Sequence, residues 1–136
     1  MKPIFADTSF YAACLSPRDA HHAKAVDLSA NSRAVVLTTE FIVVELVNSF
    51  SRTAGRATVT KFVSSLRKDR DTIIVAASSE MIQRGFELFS RRSDKEWSLT
   101  DCISFVVMQD YGVTDALTSD GHFEQAGFKA LLTART

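Results

Sequence analysis

Short apolar runs alternate along the chain with longer stretches in which apolar residues recur every three or four positions. The runs predict buried strands at residues 3–6, 34–37, 72–77 and 115–118, and residues 128–132 can add an edge strand. The periodic stretches predict helices at residues 9–15, 19–30, 40–52, 57–68, 79–92 and 98 to about 112, with a last short helix from about residue 122.

The alternation of strands and helices predicts an α/β fold. Helices between successive strands act as crossovers, so four or five strands are expected to run mostly parallel in one sheet covered on both faces. In such folds ligands bind beyond the carboxyl ends of the strands. Asp7 comes directly after the first strand and Asp120 comes two residues after the fourth. Both carboxylates are therefore expected at the same rim of the sheet.

Two further acidic residues, Glu45 and Asp101, lie in helices that are predicted to begin at this rim. Four clustered carboxylates repel one another and raise one another's pKa, and a bound divalent cation removes that conflict. Oxygen ligands suit Mg²⁺ or Mn²⁺, which also bind phosphate oxygens. The pattern therefore predicts a metal site formed by Asp7, Glu45, Asp101 and Asp120.

Each of three acids also has a structural interpretation. Asp7 can cap the helix that follows it, Asp101 completes a capping box with Ser98, and Asp120 before Gly121 can form a turn. Glu45 is harder to explain in this way. Its neighbours are almost all apolar, and a lone carboxylate buried in such a helix is costly.

Composition narrows the class of protein. A chain of 136 residues fits one domain, here residues 1–136, and 46% hydrophobic with 24% charged residues is typical of a globular protein. No apolar stretch is long enough to span a membrane, the first ten residues lack the apolar core of a signal peptide, and the two cysteines indicate no disulfide framework. A cytoplasmic location is expected.

Net charge is zero, but basic residues concentrate between residues 52 and 95, where a basic rim would attract a phosphate backbone.

Four segments together resemble the signature segments of the PIN-domain superfamily, and most closely those of its VapC-like toxin branch. They are FADTS around Asp7, VVEL around Glu45, SLTDC around Asp101 and LTSDGHF around Asp120, and they occur in the right order over essentially the whole chain. The resemblance implies a three-layer α/β/α fold and a Mg²⁺- or Mn²⁺-dependent endoribonuclease. It also implies a homodimer and a small antitoxin protein as partner, and the apolar helical residues 40–50 and 61–66 offer weak support for the dimer.

By this resemblance the four acids bind the metal, and Thr8, Thr118 and Ser119 orient the ligands or the attacking water. Hydrolysis by metal-activated water is expected, because no side chain resembles a covalent nucleophile with a nearby base. Asp94 is either a solvated loop residue or part of the mouth of the site. His122 can contact a substrate phosphate or pack in its turn.

The sequence also allows other interpretations. Trp97 lies in a polar segment, where it can stack on a base or enter a dimer interface. Another Mg²⁺-dependent phosphohydrolase is a rival class of protein, although Ser9 occupies the position of the second aspartate of haloacid-dehalogenase-like phosphatases. A module that binds RNA or protein without cleavage is a second rival. A dinucleotide-binding domain is disfavoured, since no glycine-rich turn follows a strand.

Overall fold

A computed structural model describes residues 2–134 and contains one five-stranded sheet. The strands are β1 (Ile4–Ala6), β2 (Val36–Thr39), β3 (Thr72–Val75), β4 (Asp115–Leu117) and β5 (Lys129–Ala130). Their order is β3-β2-β1-β4-β5, and every neighbouring pair is parallel. The predicted α/β fold with a mostly parallel sheet of four or five strands is therefore confirmed.

Seven helices occupy the connections between the strands and the segment after β4. They are α1 (Thr8–Leu15), α2 (His22–Asn31), α3 (Glu40–Ser49), α4 (Thr53–Lys68), α5 (Ser79–Arg91), α6 (Leu99–Asp110) and α7 (Gly121–Gln125). None of the helices within residues 2–134 combines the length and apolarity that crossing a membrane requires.

Three helix ends differ clearly from the prediction. The helix predicted from residue 19 begins only at His22, because the Asp19 carboxylate accepts the His21 backbone N–H at 2.8 Å and forms a local turn instead. The helix predicted from residue 57 begins at Thr53, one turn earlier, and α3 ends at Ser49. The two helices are thus separated by a short break and not by a frayed end near Gly55.

The core lies between the sheet and its helices. Phe5 of the central strand is fully buried and packs near Phe123 of α7, whose ring meets Phe105 of α6 edge-on at 4.9 Å. Trp97 belongs to this core as well. It is 5% exposed, meets Phe105 edge-on at 5.1 Å and donates a hydrogen bond to Gln125 at 3.0 Å. The expectation that Trp97 stacks on a base or enters a dimer interface is therefore wrong.

Gly85 allows α5 and α6 to pack at close range. A β-carbon at this position would lie 2.4 Å from the Ile103 side chain and 3.2 Å from the Ile103 backbone. The close contact holds α6 against its neighbour, and α6 carries Asp101 at its amino end. The helix pair therefore fixes one wall of the candidate site.

Candidate active site

The sheet topology brings the first and fourth strands together at the rim. β1 and β4 are parallel neighbours in which Phe5 pairs with Ala116 and Ala6 pairs with Leu117. The residues that follow, Asp7 and Thr118, consequently lie side by side. Both are buried, with 5% of Asp7 and none of Thr118 exposed.

The Asp7 carboxylate is held by hydroxyl groups. Its Oδ2 atom accepts hydrogen bonds from Thr118 Oγ1 at 2.9 Å and from Ser9 Oγ at 3.1 Å. Burial raises the pKa of Asp7 from 3.8 to about 6; these hydrogen bonds oppose the rise, and the nearby Asp101 adds to it. Although Asp7 occupies the cap position of α1, its side chain makes no capping hydrogen bond, so the helix-cap interpretation is wrong.

The same hydroxyl groups connect Asp7 to the segment that carries Asp120. Ser9 and Thr118 lie 3.1 Å apart, the Ser119 backbone N–H donates to Ser9 Oγ at 3.1 Å, and the Asp120 backbone N–H donates to Thr118 Oγ1 at 3.0 Å. Ser9 was not predicted to belong to the site. Its position two residues after Asp7, at the start of a helix, is the feature of the sequence that could have indicated it.

A second group of side chains contains Asp101, Asp120 and His122. The Nδ1 atom of His122 lies 3.0 Å from Asp101 Oδ2 and 3.4 Å from Asp120 Oδ1. One ligand atom from each of the three residues can be chosen so that all lie within 4.8 Å of one another. The group offers two oxygens and one nitrogen at the spacing that a metal ion needs.

Asp101 has the structural role expected of it, whereas Asp120, expected in a turn, caps a helix. Asp101 forms the capping box of α6, in which its backbone N–H donates to Ser98 Oγ and its carboxylate accepts the Ser98 backbone N–H. Asp120 caps α7 by accepting the His122 backbone N–H at 2.9 Å. Capping holds both carboxylates at the rim, so the structural and the ligand interpretations are compatible.

Glu45 differs from the other acids because its side chain is exposed. It accepts a hydrogen bond from the Thr8 hydroxyl and projects from a face of α3 that also exposes Val44 and Val47. The burial cost considered for a carboxylate in this apolar helix therefore does not arise, because Glu45 lies on the exposed face of α3 together with Val44 and Val47.

All four predicted acids border one open cavity of about 420 Å³. Glu96 and Ser98, on either side of the buried Trp97, also border it and were not predicted as site residues. The complete lining is Asp7, Thr8, Ser9, Glu45, Glu96, Ser98, Asp101, Asp120 and His122. Thr118 lies behind the lining, against Asp7, and Ser119 reaches the site through its backbone N–H.

Asp94 does not border this cavity. Its carboxylate binds the Arg92 guanidinium through two contacts of 2.9 and 3.0 Å. That hydrogen-bonded ion pair lowers the pKa of Asp94 to about 2. Arg92 in turn lies 5.0 Å above the ring of Trp97. Asp94 is accordingly a surface residue that orders its own loop.

The donor set fits a divalent cation. Carboxylate oxygens are ligands of Mg²⁺ and Mn²⁺, and an imidazole is a ligand of transition-metal ions. The positive charge of such an ion would offset both the cost of burying the Asp7 carboxylate and its repulsion by Asp101. The roles of the individual side chains as ligands remain predictions.

Comparisons with known proteins agree with the fold. The family model of the PIN domain matches residues 4–129. The 23S rRNA-specific endonuclease VapC20 of Mycobacterium tuberculosis, found in two strains, is 32% identical over 126 residues, which cover 92% of this chain and 95% of the relative. The crystal structure of M. tuberculosis VapC20, described as a sarcin-ricin loop cleaving toxin, matches with a TM-score of 0.84 and 30% identity over 92% of this chain and 95% of that one. The chain therefore belongs to the PIN-domain family and to its VapC-like ribonuclease branch.

Proposed function

We propose that this chain is a divalent-metal-dependent endoribonuclease that hydrolyses RNA phosphodiesters with water. The observation that carries the proposal is the cavity into which Asp7, Glu45, Asp101 and Asp120 converge, in a chain of this family. These carboxylates come from the four segments that resemble the family's signature. They also come from four distant parts of the sequence, so their meeting is a property of the fold.

The cofactor is proposed to be Mg²⁺ or Mn²⁺, held by the four acids. When bound, the ion lowers the pKa of a water molecule and offsets charge on the phosphoryl oxygens. The side chains around it orient the ligands: Thr118 and Ser9 fix Asp7, and Thr8 fixes Glu45. Asp101 or Asp120 accepts the proton of the attacking water.

The substrate is proposed to be a structured RNA. The similar protein VapC20 is named as a 23S rRNA-specific endonuclease and its crystal structure as that of a sarcin-ricin loop cleaving toxin, which supports ribosomal RNA as the first substrate to test. Basic residues of α4 and α5 are proposed to guide the phosphate backbone toward the acidic cavity. We also propose that the protein acts in the cytoplasm as a single-domain toxin and that a small antitoxin protein covers the cavity.

A homodimer is proposed, formed through exposed apolar side chains of α3 and α5. Val44 and Val47 are 59% and 38% exposed, and Phe86 and Phe89 of α5 are 57% and 45% exposed with their rings stacked at 6.2 Å. By contrast, the apolar residues within 61–66 pack against the core and offer no such face. Light scattering should give twice the monomer mass for the wild type and a monomer for Phe86→Glu; a monomeric wild type would exclude the dimer.

The experiment that tests the function is cleavage of ribosomal RNA by the wild type and by Asp7→Asn, with Mg²⁺, Mn²⁺ or EDTA. We expect discrete fragments only with the wild type and metal, and a loss on the order of a thousandfold in Asp7→Asn. Asp94→Asn is the matched control, because Asp94 is a carboxylate outside the cavity. It should cleave as the wild type does.

Three outcomes would contradict the proposal. Cleavage that continues in EDTA would exclude the metal, and full activity in folded Asp7→Asn would exclude the acidic cavity. Metal-loaded wild type that binds RNA tightly without cutting it would favour a non-cleaving binding module instead.

A further inference from the structure

We propose that His122 is a direct nitrogen ligand of the metal and that it makes the site favour Mn²⁺ over Mg²⁺. The inference rests on the proposed function for the presence of a divalent ion. It adds His122 to the four proposed carboxylate ligands. It also proposes that this side chain determines which metal ion binds more tightly.

The first argument is distance. The Nδ1 atom of His122 lies 3.0 Å from Asp101 Oδ2 and 3.4 Å from Asp120 Oδ1. Neighbouring ligands about 2.1 Å from an octahedral ion lie about 3.0 Å apart. The imidazole nitrogen is therefore already spaced from each of the two carboxylate oxygens as neighbouring ligands of one ion would be.

The second argument is that the His122 ring is held toward the carboxylates. Its own backbone N–H donates to Asp120 Oδ1, which fixes the backbone of His122 relative to one proposed ligand. The next residue, Phe123, is fully buried between Phe5 and Phe105, so α7 cannot readily turn about its axis. The His122 side chain is partly buried, with 31% of its surface accessible.

The third argument is ligand chemistry. Carboxylate, carbonyl and water oxygens suit Mg²⁺, whereas imidazole is a ligand of the first-row transition metals, whose affinity for mixed nitrogen and oxygen sites rises from Mn²⁺ onward. One nitrogen added to four oxygens therefore shifts the preference from Mg²⁺ toward Mn²⁺. The alternative is that the ring only donates a hydrogen bond to Asp101 and never contacts the metal.

Pulsed electron paramagnetic resonance of bound Mn²⁺ separates the two possibilities, because a coordinated imidazole gives a nitrogen hyperfine coupling. We expect this coupling in the wild type and in the control His21→Gln, and its loss in His122→Gln. Calorimetric titration with Mn²⁺ and with Mg²⁺ should show that His122→Gln lowers the ratio of the two affinities about tenfold, the lower end of the range for weakened metal sites. His21→Gln should leave the ratio unchanged.

Wild-type protein that binds Mn²⁺ without the nitrogen coupling would overturn the inference, and so would an affinity ratio that is unchanged in folded His122→Gln. If that variant fails to fold, the wild-type spectrum decides alone. RNA cleavage measured on the same samples keeps the two proposals apart. Cleavage without the nitrogen coupling would contradict the histidine ligand but support the nuclease. The coupling without cleavage would support the histidine ligand but contradict the nuclease.

Discussion

Asp7 and Glu45 lie in the same cavity but in opposite environments. Asp7 is 5% exposed and accepts two hydroxyl hydrogen bonds on one oxygen, and burial raises its pKa to about 6. Glu45 is exposed and accepts a hydrogen bond from Thr8. Asp7 is thus fixed by buried groups of the core, whereas Glu45 makes its hydrogen bond at the protein surface.

In these two residues, burial of the carboxylate follows from the position of the backbone in the fold and not from the polarity of the neighbouring residues in the sequence. Asp7 has polar neighbours, Thr8 and Ser9, but it follows the central strand and is enclosed by the strands on either side. Glu45 has apolar neighbours, but it lies on the outer face of a helix. The two carboxylates should therefore differ sharply in their effect on folding stability.

The largest expected effect is that Asp7→Asn stabilises the metal-free protein. Above pH 6 the wild-type carboxylate is ionised in both the folded and the unfolded state, and the rise in pKa from 3.8 to about 6 penalises the folded state by about 3 kcal/mol. Denaturant unfolding near neutral pH in EDTA should show Asp7→Asn to be more stable by up to about this amount.

The pH dependence gives the sign of this effect. Because the folded pKa of Asp7 is raised, the penalty is present above about pH 6 and disappears below about pH 4, where the group is protonated in both states. The stability advantage of Asp7→Asn should shrink to zero over that interval. Asp94→Asn should show no advantage at any pH, since its carboxylate has a lowered pKa. A stability advantage of Asp7→Asn that does not change with pH would contradict the raised pKa of Asp7.

A smaller effect is expected when the hydroxyl groups around Asp7 are removed. Thr118→Val keeps the shape of a buried side chain but leaves Asp7 Oδ2 with one donor fewer, and should lower the free energy of unfolding by about 1–3 kcal/mol. It should also weaken metal binding by about 10- to 100-fold. Ser9→Ala should do less, because its contact with Asp7 is longer and only half-buried. Equal metal affinity in Thr118→Val and the wild type would exclude a positioning role.

The fold was largely predictable because apolar runs and helical periodicity report burial directly. The existence of the four main strands, their parallel arrangement and most helices were predicted correctly, although β2 begins at Val36 and not at residue 34. The errors arose where local side-chain hydrogen bonds or packing decide the backbone. Because of the turn at Asp19, α2 begins later in the sequence than predicted. The ring of Trp97 is buried although the segment around it is polar in composition.

The site was predictable to the extent that strand ends meet at one rim. Asp7 and Asp120 follow from topology alone, and the cavity also contains Glu45 and Asp101. The hydrogen bonds of Ser9 and the place of Glu96 could not be predicted, because they depend on which way side chains turn after the helix or loop has formed. Asp94 is only two residues from Glu96, which borders the cavity, but its hydrogen bond to Arg92 holds it outside that cavity.

The smallest expected effect on folding is that of Glu45→Gln. The carboxylate is exposed, so its replacement should change the free energy of unfolding by no more than about 0.5 kcal/mol in EDTA. If Glu45 binds the metal as proposed, the same variant should nevertheless lose most of the stabilisation that added Mn²⁺ gives the wild type, because an ion that binds only the folded state raises stability in proportion to its affinity. Unfolding curves with and without Mn²⁺ measure both quantities. A variant that is neutral in EDTA and still fully stabilised by Mn²⁺ would leave Glu45 as a surface residue bonded to Thr8, and Asp7, Asp101 and Asp120 as the remaining acids of the metal site.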